Sequence, residues 1–421
     1  MVKLIKKMNY KNIDNYLRIY IIYLSFFVIF YLFFKHTVTN DSSVSEWLIN
    51  YQGGFTRRGF SGEILIIISK FFDLNLRFLI FTFQTFFHLL YLYLIFKYFR
   101  NIRFNIIQIF AFFSPIFLIY PLAEIEVLGR KEIILFSFYL SLMIFSEKRF
   151  SKNFVNYSTL FILPLICLIW EQVILFAPYI LVLIVIKNGY KTFKKTFLNS
   201  SLIFLPTILA ILFIFLNPLS QEGHKEMCGT LLNEFGEYCY MSANLLIKNT
   251  VYFDTLYIHK NVHLISYLRY LGIFLIGFLP LHYLIYKSEF VSRDNFINKN
   301  FKLETIFVLL YLPSIIIFMF GWDWGRWINI LYSFSVLLYF YLYKNNLIEF
   351  KNNNSSYIIS YIESRKYLLI PIFIIFAFGW HPKATLSEDI GSLPGYRIPY
   401  KATKFIDTIK IRIKNNEYKI K

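Results

Sequence analysis

Charged residues are scarce in this chain, and acidic residues are the scarcer kind. Only 16% of the 421 residues are charged, and 25 Asp and Glu stand against 44 Lys and Arg. Hydrophobic residues make up 57% of the chain, more than an ordinary soluble domain carries. Several nearly uncharged runs reach about 17 residues, enough for a helix to cross a bilayer. The composition excludes an ordinary soluble enzyme and indicates a membrane protein.

Cysteine is nearly absent as well, so a disulfide-rich scaffold is not expected: the chain has three. Cys167 lies in an apolar run and is expected to be an inert core residue. Cys228 and Cys239 lie in one polar segment. They can pair if that segment faces an oxidising compartment, and otherwise they are two unrelated reduced thiols. Their spacing fits no zinc pattern, and no histidine is expected to complete one.

The chain also lacks an internal repeat and a cleavable signal sequence. The missing repeat counts against the repeat-built transporter folds. No small-residue cleavage site accompanies the first apolar run, so residues 18–36 are predicted to be an uncleaved first helix.

Basic residues are abundant, with a formal net charge of +19, but their layout argues against a nucleic-acid partner. Lys and Arg are concentrated in short loops between apolar runs, which is typical of the cytoplasmic side of a membrane protein. Residues 1–18 are basic too, so the N-terminus is predicted to be cytoplasmic. We expect an integral protein of the bacterial inner membrane.

The alternation of apolar runs and basic loops predicts an all-α polytopic transmembrane helix bundle of about 11 spans. A transmembrane domain would cover residues 1–386 and a basic tail residues 387–421. Long outer loops are predicted at 37–75 and, between helices 7 and 8, at 217–266. The predicted spans are 19–36, 76–97, 104–121, 133–146, two helices within 154–186 separated by a turn at Trp170–Glu171–Gln172, 197–216, 267–286, 304–320, 327–343 and 367–380.

Distinctive polar clusters fall in the segments predicted to lie outside. In the stretch GGFTRRG, Arg57 and Arg58 offer planar guanidinium donors that suit phosphate oxygens. Gly53 and Gly54 would let backbone N–H groups approach the same phosphate. The alternative is a pair of interfacial arginines at lipid headgroups, with glycines that shape a turn.

Acidic residues on the same side are candidates for catalysis. Asp41 and Glu46 follow the first predicted helix, where a carboxylate could take a proton from an acceptor hydroxyl. The stretch NDSSVSEW is also typical of a helix start, with Asp41 or Ser42 as its N-cap. Glu124 and Glu126 precede Arg130, and they could orient a sugar, hold a divalent cation or form local salt bridges.

Two tight outer turns add further candidates. Glu171 lies between two apolar runs in a turn too short to carry it away from the membrane edge, and ionisable groups there usually face a cavity or a partner. In GWDWGRW, Asp323 and Arg326 are three residues apart, one helical turn. Arg326 could meet a phosphate and Trp324 could stack on a sugar ring. The alternative for the tryptophans is the aromatic belt of a membrane interface.

This layout resembles the GT-C superfamily of membrane glycosyltransferases, which take a sugar from a polyprenyl-phosphate carrier on the non-cytoplasmic side. The resemblance covers roughly residues 1–290 and concerns topology and acid placement rather than a specific motif. It rests on an acid soon after helix 1, the amphipathic stretch GEILIIISKFFDL before helix 2, and the long loop between helices 7 and 8. GGFTRRG and DWGRW also resemble strings in uncharacterised membrane proteins of bacterial surface-polysaccharide clusters.

The resemblance implies roles for acidic residues of the first two outer loops. A first-loop carboxylate serves those enzymes as the base, and a second-loop acid often assists. Asp41 or Glu46, and one of Glu124, Glu126 or Glu132, occupy these places. The first-loop acid departs from the usual sequence setting, so the sequence leaves open which acid is the base.

The expected activity is transfer of a sugar from a lipid-linked donor to an envelope glycan or a lipid-linked acceptor. A polymerase of O-antigen or capsule repeat units is the alternative. A flippase or transporter for lipid-linked sugars is less favoured, because helices 3, 4, 9 and 10 carry almost no polar residue at mid-membrane. A divalent cation is the cofactor that the sequence leaves open.

Overall fold

The computed structural model describes residues 10–37, 41–100, 102–147, 151–246, 262–350 and 366–386, together with a few isolated positions. It is 75% helical and nearly all-α. The predicted tail 387–421 lies almost wholly outside the described residues, as does much of the second half of the predicted loop 217–266.

The helices are α1 (Tyr10–His36), α2 (Ser42–Leu48), α3 (Gly59–Phe72), α4 (Leu76–Phe99), α5 (Ile106–Phe112), α6 (Tyr120–Ala123), α7 (Glu132–Ser146), α8 (Ser151–Ile169), α9 (Val173–Asn188), α10 (Phe193–Leu216), α11 (Gln221–Phe235), α12 (Met241–Asn244), α13 (Leu264–Tyr286), α14 (Phe296–Asn300), α15 (Leu303–Phe320), α16 (Trp324–Lys344) and α17 (Lys366–Phe378). Strand β1 (Ser288–Phe290) pairs antiparallel with β2 (Ile348–Phe350), and β3 (His381–Pro382) pairs antiparallel with β4 (Ile390–Gly391).

Among the described residues, six helices are long and apolar enough to cross a membrane: α1, α4, α8, α10, α13 and α15. Shorter apolar helices are α7, α9 and α17. Helix α10 lies at the periphery of the bundle, since Phe215 and Leu216 are 74% and 78% exposed. Large apolar side chains on the outer surface of such a helix suit contact with lipid, as in an integral membrane protein.

Helix α16 forms the centre of the bundle, with every residue from Gly325 to Leu342 buried. It contacts α7, α13 and α15. A helix buried on all sides needs no polar stripe, and its few polar groups must find partners inside the protein. The Tyr179 and Ser335 hydroxyls accordingly lie 2.7 Å apart in a hydrogen bond.

The predicted helix 104–121 is wrong, because the chain breaks after α5 and resumes helical form only at α6. Pro115 has no N–H to donate and disfavours helical backbone at Ser114. Carbonyl groups in the break accept hydrogen bonds from α16: Asn329 Nδ2 donates to Ile116 O at 2.8 Å and to Phe117 O at 3.1 Å. Irregular backbone at membrane depth is tolerated when protein surrounds it in this way.

Helices α4, α7 and α16 run side by side in the same direction. At their N-terminal end, Arg326 of α16 meets Glu132 of α7 at 2.7 Å. At their C-terminal end, Lys344 Nζ lies 3.1 Å from Glu147 and donates to Tyr98 O of α4 at 3.0 Å. At 1.5 Å per residue, these two ends are roughly 22–27 Å apart. The three helices thus define two ends of the molecule.

The predicted first outer loop contains two helices, α2 and α3. The predicted turn at 170–172 separates α8 from α9. Part of the second long loop forms α11 and α12. A disulfide joins Cys228 of α11 to Cys239 in the segment before α12, with Cα atoms 5.5 Å apart. The chain around α12 packs on α2, where Ser45 Oγ donates to Tyr240 O and Ser242 Oγ donates to Ser42 O.

Candidate functional site

Asp41 begins the short helix that positions the centre of the site. Its Oδ1 accepts hydrogen bonds from Ser43 N at 2.8 Å and Val44 N at 3.1 Å, the N-cap role that the sequence offered as one alternative. Lys35 Nζ lies 3.6 Å from its other oxygen. Burial alone would raise the pKa of Asp41, but Lys35 and these hydrogen bonds outweigh it and hold the pKa below its ordinary value.

Charged side chains from separate segments meet at the N-terminal end of α4, α7 and α16. We call this group the Glu46 cluster. Several of its ion pairs join residues that are distant in the chain, for example 84, 113 and 194 positions apart. Its members are Glu46, Arg57, Arg58, Arg130, Glu132, Glu171, Asp323 and Arg326.

Glu46 lies at the centre, fully buried among three arginines. Its Oε2 is 3.3 Å from Arg130 Nη1. Its Oε1 is 3.5 Å from Arg58 Nη1 and 4.0 Å from Arg326 Nη2. This Oε1 atom accepts no hydrogen bond from the described residues. Burial by itself would raise the pKa of Glu46, but the cations of Arg326, Arg130 and Arg58 lower it to about 2. Glu46 is therefore a carboxylate at neutral pH.

Arg58 and Glu171 form a bidentate pair across the cluster. Arg58 Nε and Nη2 donate to the two carboxylate oxygens at 2.8 and 2.6 Å. Against the effect of burial, Arg58 lowers the pKa of Glu171 to about 2. The guanidinium that the sequence offered to a phosphate is thus already held by carboxylates. Arg57 differs, since its side chain is 34% exposed and Glu171 lies 4.0 Å away.

Arg326 is the most enclosed arginine of the cluster. It forms two bonds of 2.7 Å to Glu132, and its Nη1 lies 3.1 Å from Asp323. Glu132 is the first residue of α7 and Asp323 caps the start of α16. The helix dipole favours negative charge at both positions. Asp323 remains 28% exposed, whereas Arg326 is 5% exposed, so the carboxylate forms a rim over a buried cation.

Lys131 supports a strained stretch of backbone next to the cluster. Arg58 has a φ of 65°, in the left-handed region that a side chain with Cβ disfavours. Lys131 Nζ donates to the carbonyl oxygen of that residue at 2.7 Å. Burial lowers the pKa of Lys131 to about 7, although Glu46 acts in the opposite direction. The strained conformation turns the Arg58 side chain towards its carboxylate partners.

The two glycines predicted to approach a phosphate have structural uses. A side chain at Gly53 would collide with the backbone of Gly223 in α11, 1.8 Å from its carbonyl oxygen. Gly54 has a φ of 103° and donates its N–H to Tyr51 O within a tight turn. Gly54 thus fits the turn alternative, whereas Gly53 allows close packing on α11.

Three other predicted residues are not among the members of the Glu46 cluster. Glu124 is buried, 3.7 Å from His381 Nε2. Glu126 is exposed, and its carbonyl oxygen accepts a hydrogen bond from Arg130. The ring of Trp324 packs against other aromatic rings, including Tyr267 at 5.2 Å. The more exposed ring in this turn is Trp322, at 43%.

The expectation that no histidine lies near the cysteines is wrong. His224 lies one helical turn before Cys228, with Nε2 3.5 Å from its Sγ. Sulfur atoms in the disulfide are not thiolates and offer a metal little. In the described part of the chain, no trio of carboxylates lies close enough to share a cation, and these three residues are the one group at ligand spacing.

Sequence reasoning from residues alone assigned no role at the site to two residues that support it. Lys35, at the end of α1, donates to Ile125 O at 2.7 Å and to Leu128 O at 2.9 Å, and so fixes the loop that carries Arg130. The feature of the sequence that could have indicated this role of Lys35 is a lysine at the end of an apolar helix. Only the resemblance gives Glu132 a role, since an acid at a helix start has an ordinary capping explanation.

The arrangement combines a buried, mutually paired interior with a rim that solvent reaches. Arg57 and Asp323 are the members most exposed at this rim. A guanidinium there can contact a phosphate, and a carboxylate there can accept a proton. Comparison with family models, with curated proteins and with solved structures gives no match, so the interpretation of the site rests on its geometry.

Proposed function

We propose that the chain is a polytopic glycosyltransferase of the GT-C type, with about 11 spans and a cytoplasmic N-terminus, in the bacterial inner membrane. It transfers a sugar from a polyprenyl-phosphate donor to an envelope glycan or a lipid-linked acceptor at the face that carries the Glu46 cluster. The observation that supports this proposal is the convergence of distant arginines and carboxylates at one end of the bundle. Buried charges of this density are costly to maintain and are concentrated at functional sites.

The exposed members of the cluster are the ones assigned to substrate. Arg57 contacts the donor phosphate, because the other arginines are held by Glu46, Glu132 and Glu171. Asp323 is the base, because among the described residues only its Oδ2 is engaged, by Arg326. Asp41 is less suited, since its Oδ1 already accepts the bonds of a helix cap.

The reaction balances with these groups alone. The acceptor hydroxyl gives its proton to a carboxylate oxygen of Asp323, and its oxygen forms a bond to the anomeric carbon of the sugar. The bond from that carbon to the phosphate oxygen breaks, and the electron pair leaves with polyprenyl phosphate. Arg57 stabilises the additional negative charge on the leaving phosphate.

Buried polar groups along α16 favour an enzyme over a transporter. A transporter needs a polar path across the membrane. Asn329 and Ser335 of this helix instead donate to backbone carbonyl groups within the bundle. These hydrogen bonds serve packing within the bundle.

The test is the analysis of envelope glycans from cells in which Arg57→Gln or Asp323→Asn replaces the native protein. We expect at least tenfold less product from each variant, since removal of a charge-stabilising or proton-accepting group costs 10²–10⁴-fold in typical enzymes. The matched control is Glu234→Gln, which removes an exposed carboxylate whose partner is Lys70. Normal glycan from both test variants would overturn the proposal, and chains of one repeat unit would favour the polymerase.

A further inference from the structure

A second concentration of charge lies at the opposite end of α4, α7 and α16. A cavity of about 730 Å³ opens there between the helix ends and strand β2. We call it the basic cavity. Its charged lining residues are Lys97, Arg100, Arg103, Lys344, Glu147 and Glu349, and apolar side chains such as Ile144 and Ile348 complete the walls.

Helix capping explains only part of this charge. The C-terminal carbonyls of helices attract cations. Lys344 serves in this way, since its Nζ donates to Tyr98 O and pairs with Glu147. Lys187 does the same for α7, where its Nζ donates to Ser146 O. Lys344 and Lys187 therefore supply the cations for the carbonyl groups at these helix ends.

Lys97 and Arg100 also line the cavity, but helix capping does not account for them. Within the described residues, neither has a carboxylate or carbonyl partner, and Arg100 is exposed. Two cations beside a cavity whose walls combine charged and apolar side chains fit an anion that carries an apolar portion or a ring. Arginine and lysine side chains at such a position suit phosphate oxygens.

We propose that the basic cavity binds a phosphate-bearing ligand through Lys97 and Arg100. The cavity lies at the ends of apolar helices, where the headgroup of an anionic phospholipid would be found. A soluble phosphate compound offers the same chemistry. This site is separate from the Glu46 cluster and does not depend on the reaction assigned to that cluster.

The test compares the full-length protein with the double variant Lys97→Gln/Arg100→Gln. The control is Arg293→Gln/Lys299→Gln, which removes two exposed cations outside the cavity from the segment next to β1. Each protein is placed in nanodiscs that contain phosphatidylcholine and roughly 20% phosphatidylglycerol. The phosphatidylglycerol that is isolated with the protein is measured by native mass spectrometry. Thermal unfolding is measured in parallel in phosphatidylcholine alone, with and without inorganic phosphate.

Each outcome decides the proposal. About tenfold less retained phosphatidylglycerol in the Lys97/Arg100 variant than in the control variant supports a lipid headgroup as the ligand. A rise of the unfolding temperature with phosphate in the native protein but not in the variant supports a soluble ligand. Equal behaviour of the two double variants in both assays overturns the proposal. Elution as a single species with the Cys228–Cys239 disulfide intact checks that each variant is folded.

Discussion

The two ends of α4, α7 and α16 use cations in opposite ways. In the Glu46 cluster, arginines are buried and held by carboxylates from distant segments, as in the pairs Arg326–Glu132 and Arg58–Glu171. At the basic cavity, Arg100 is exposed and Lys97 half-buried, and apolar side chains form much of the wall. A buried charge needs a partner because desolvation is costly, whereas a cation near water does not. Removal of a charge should therefore cost stability at one end and only binding at the other.

The largest effect is expected from Glu46→Ala. The substitution leaves Arg58, Arg130 and Arg326 without their central counter-charge, and loss of one partner from a buried pair costs about 3–5 kcal/mol. Denaturant unfolding of the purified protein in detergent measures the loss. The matched control is Glu126→Ala, an exposed acid of the loop next to Arg130, for which we expect a change within about 0.5 kcal/mol. Equal losses from the two variants would contradict the comparison.

The next effect is expected from the disulfide over the Glu46 cluster. A loop that spans 11 positions is closed by Cys228–Cys239, and such a cross-link stabilises by about 3 kcal/mol in the chain-entropy model. Cys228→Ser/Cys239→Ser should lower the unfolding temperature of the native protein by the same amount as added reductant. Reductant should then leave the double variant unchanged. Retention of phosphatidylglycerol at the opposite end should not change, and a parallel loss there would show that the two ends are not independent.

Acid should weaken the Glu46 cluster before the rest of the molecule. The pKa values of Glu46 and Glu171 are lowered from 4.5 to about 2 in the folded protein. The folded state therefore binds fewer protons than the unfolded state below about pH 4.5, and stability falls as the pH drops from there towards 2. The expected total is on the order of a few kcal/mol, since one pKa unit corresponds to about 1.4 kcal/mol. Unfolding followed from pH 6 to pH 2.5 measures it.

A variant isolates the contribution of one carboxylate to this acid effect. Glu171→Gln removes one of the two groups, so its stability should depend less steeply on pH below 4.5 than that of the native protein. An unchanged slope would mean that Glu171 does not titrate with the unfolding transition.

The smallest stability effect is expected from Arg57→Gln. Its side chain is 34% exposed and its nearest carboxylate oxygen is 4.0 Å away, so the free energy of unfolding should change by less than about 1 kcal/mol. Arg58→Gln, at the neighbouring position, should cost several times more because it breaks the bidentate pair with Glu171. The Arg57 variant should nevertheless lose glycan product. Full activity with normal stability would remove Arg57 from the substrate site.

The positions of most helices follow from short stretches of sequence. The split of the run 154–186 at Trp170–Gln172 and the start of a short helix after Asp41 agree with the structure, because a turn and a cap depend on neighbouring residues. The run 104–121 shows the limit of this reasoning. The prediction gave more weight to its apolar composition than to Pro115. Carbonyl groups in the break accept hydrogen bonds from Asn329, more than 200 positions away.

The choice of side chains at the site could be predicted only in part. Glu46, Arg58, Glu171, Asp323 and Arg326 were all candidates, and the structure brings them together. The sequence predicts that Gly53 lies next to a bound phosphate, whereas its close neighbour in the structure is the backbone of Gly223. A short polar motif does not reveal whether its partner is a ligand or another part of the chain.

The sequence by itself determined that this protein is helical and apolar, where most of its long apolar helices lie, and which polar residues are candidates for a site. These properties are local, since hydrophobic periodicity, caps and turns depend on residues close in the chain. Only the tertiary structure decided that Glu171 holds Arg58, that Glu132 holds Arg326, and that Arg57 and Asp323 remain at the rim. Ion pairing depends on distance and burial in space, and residues far apart in a sequence carry no local signal of either.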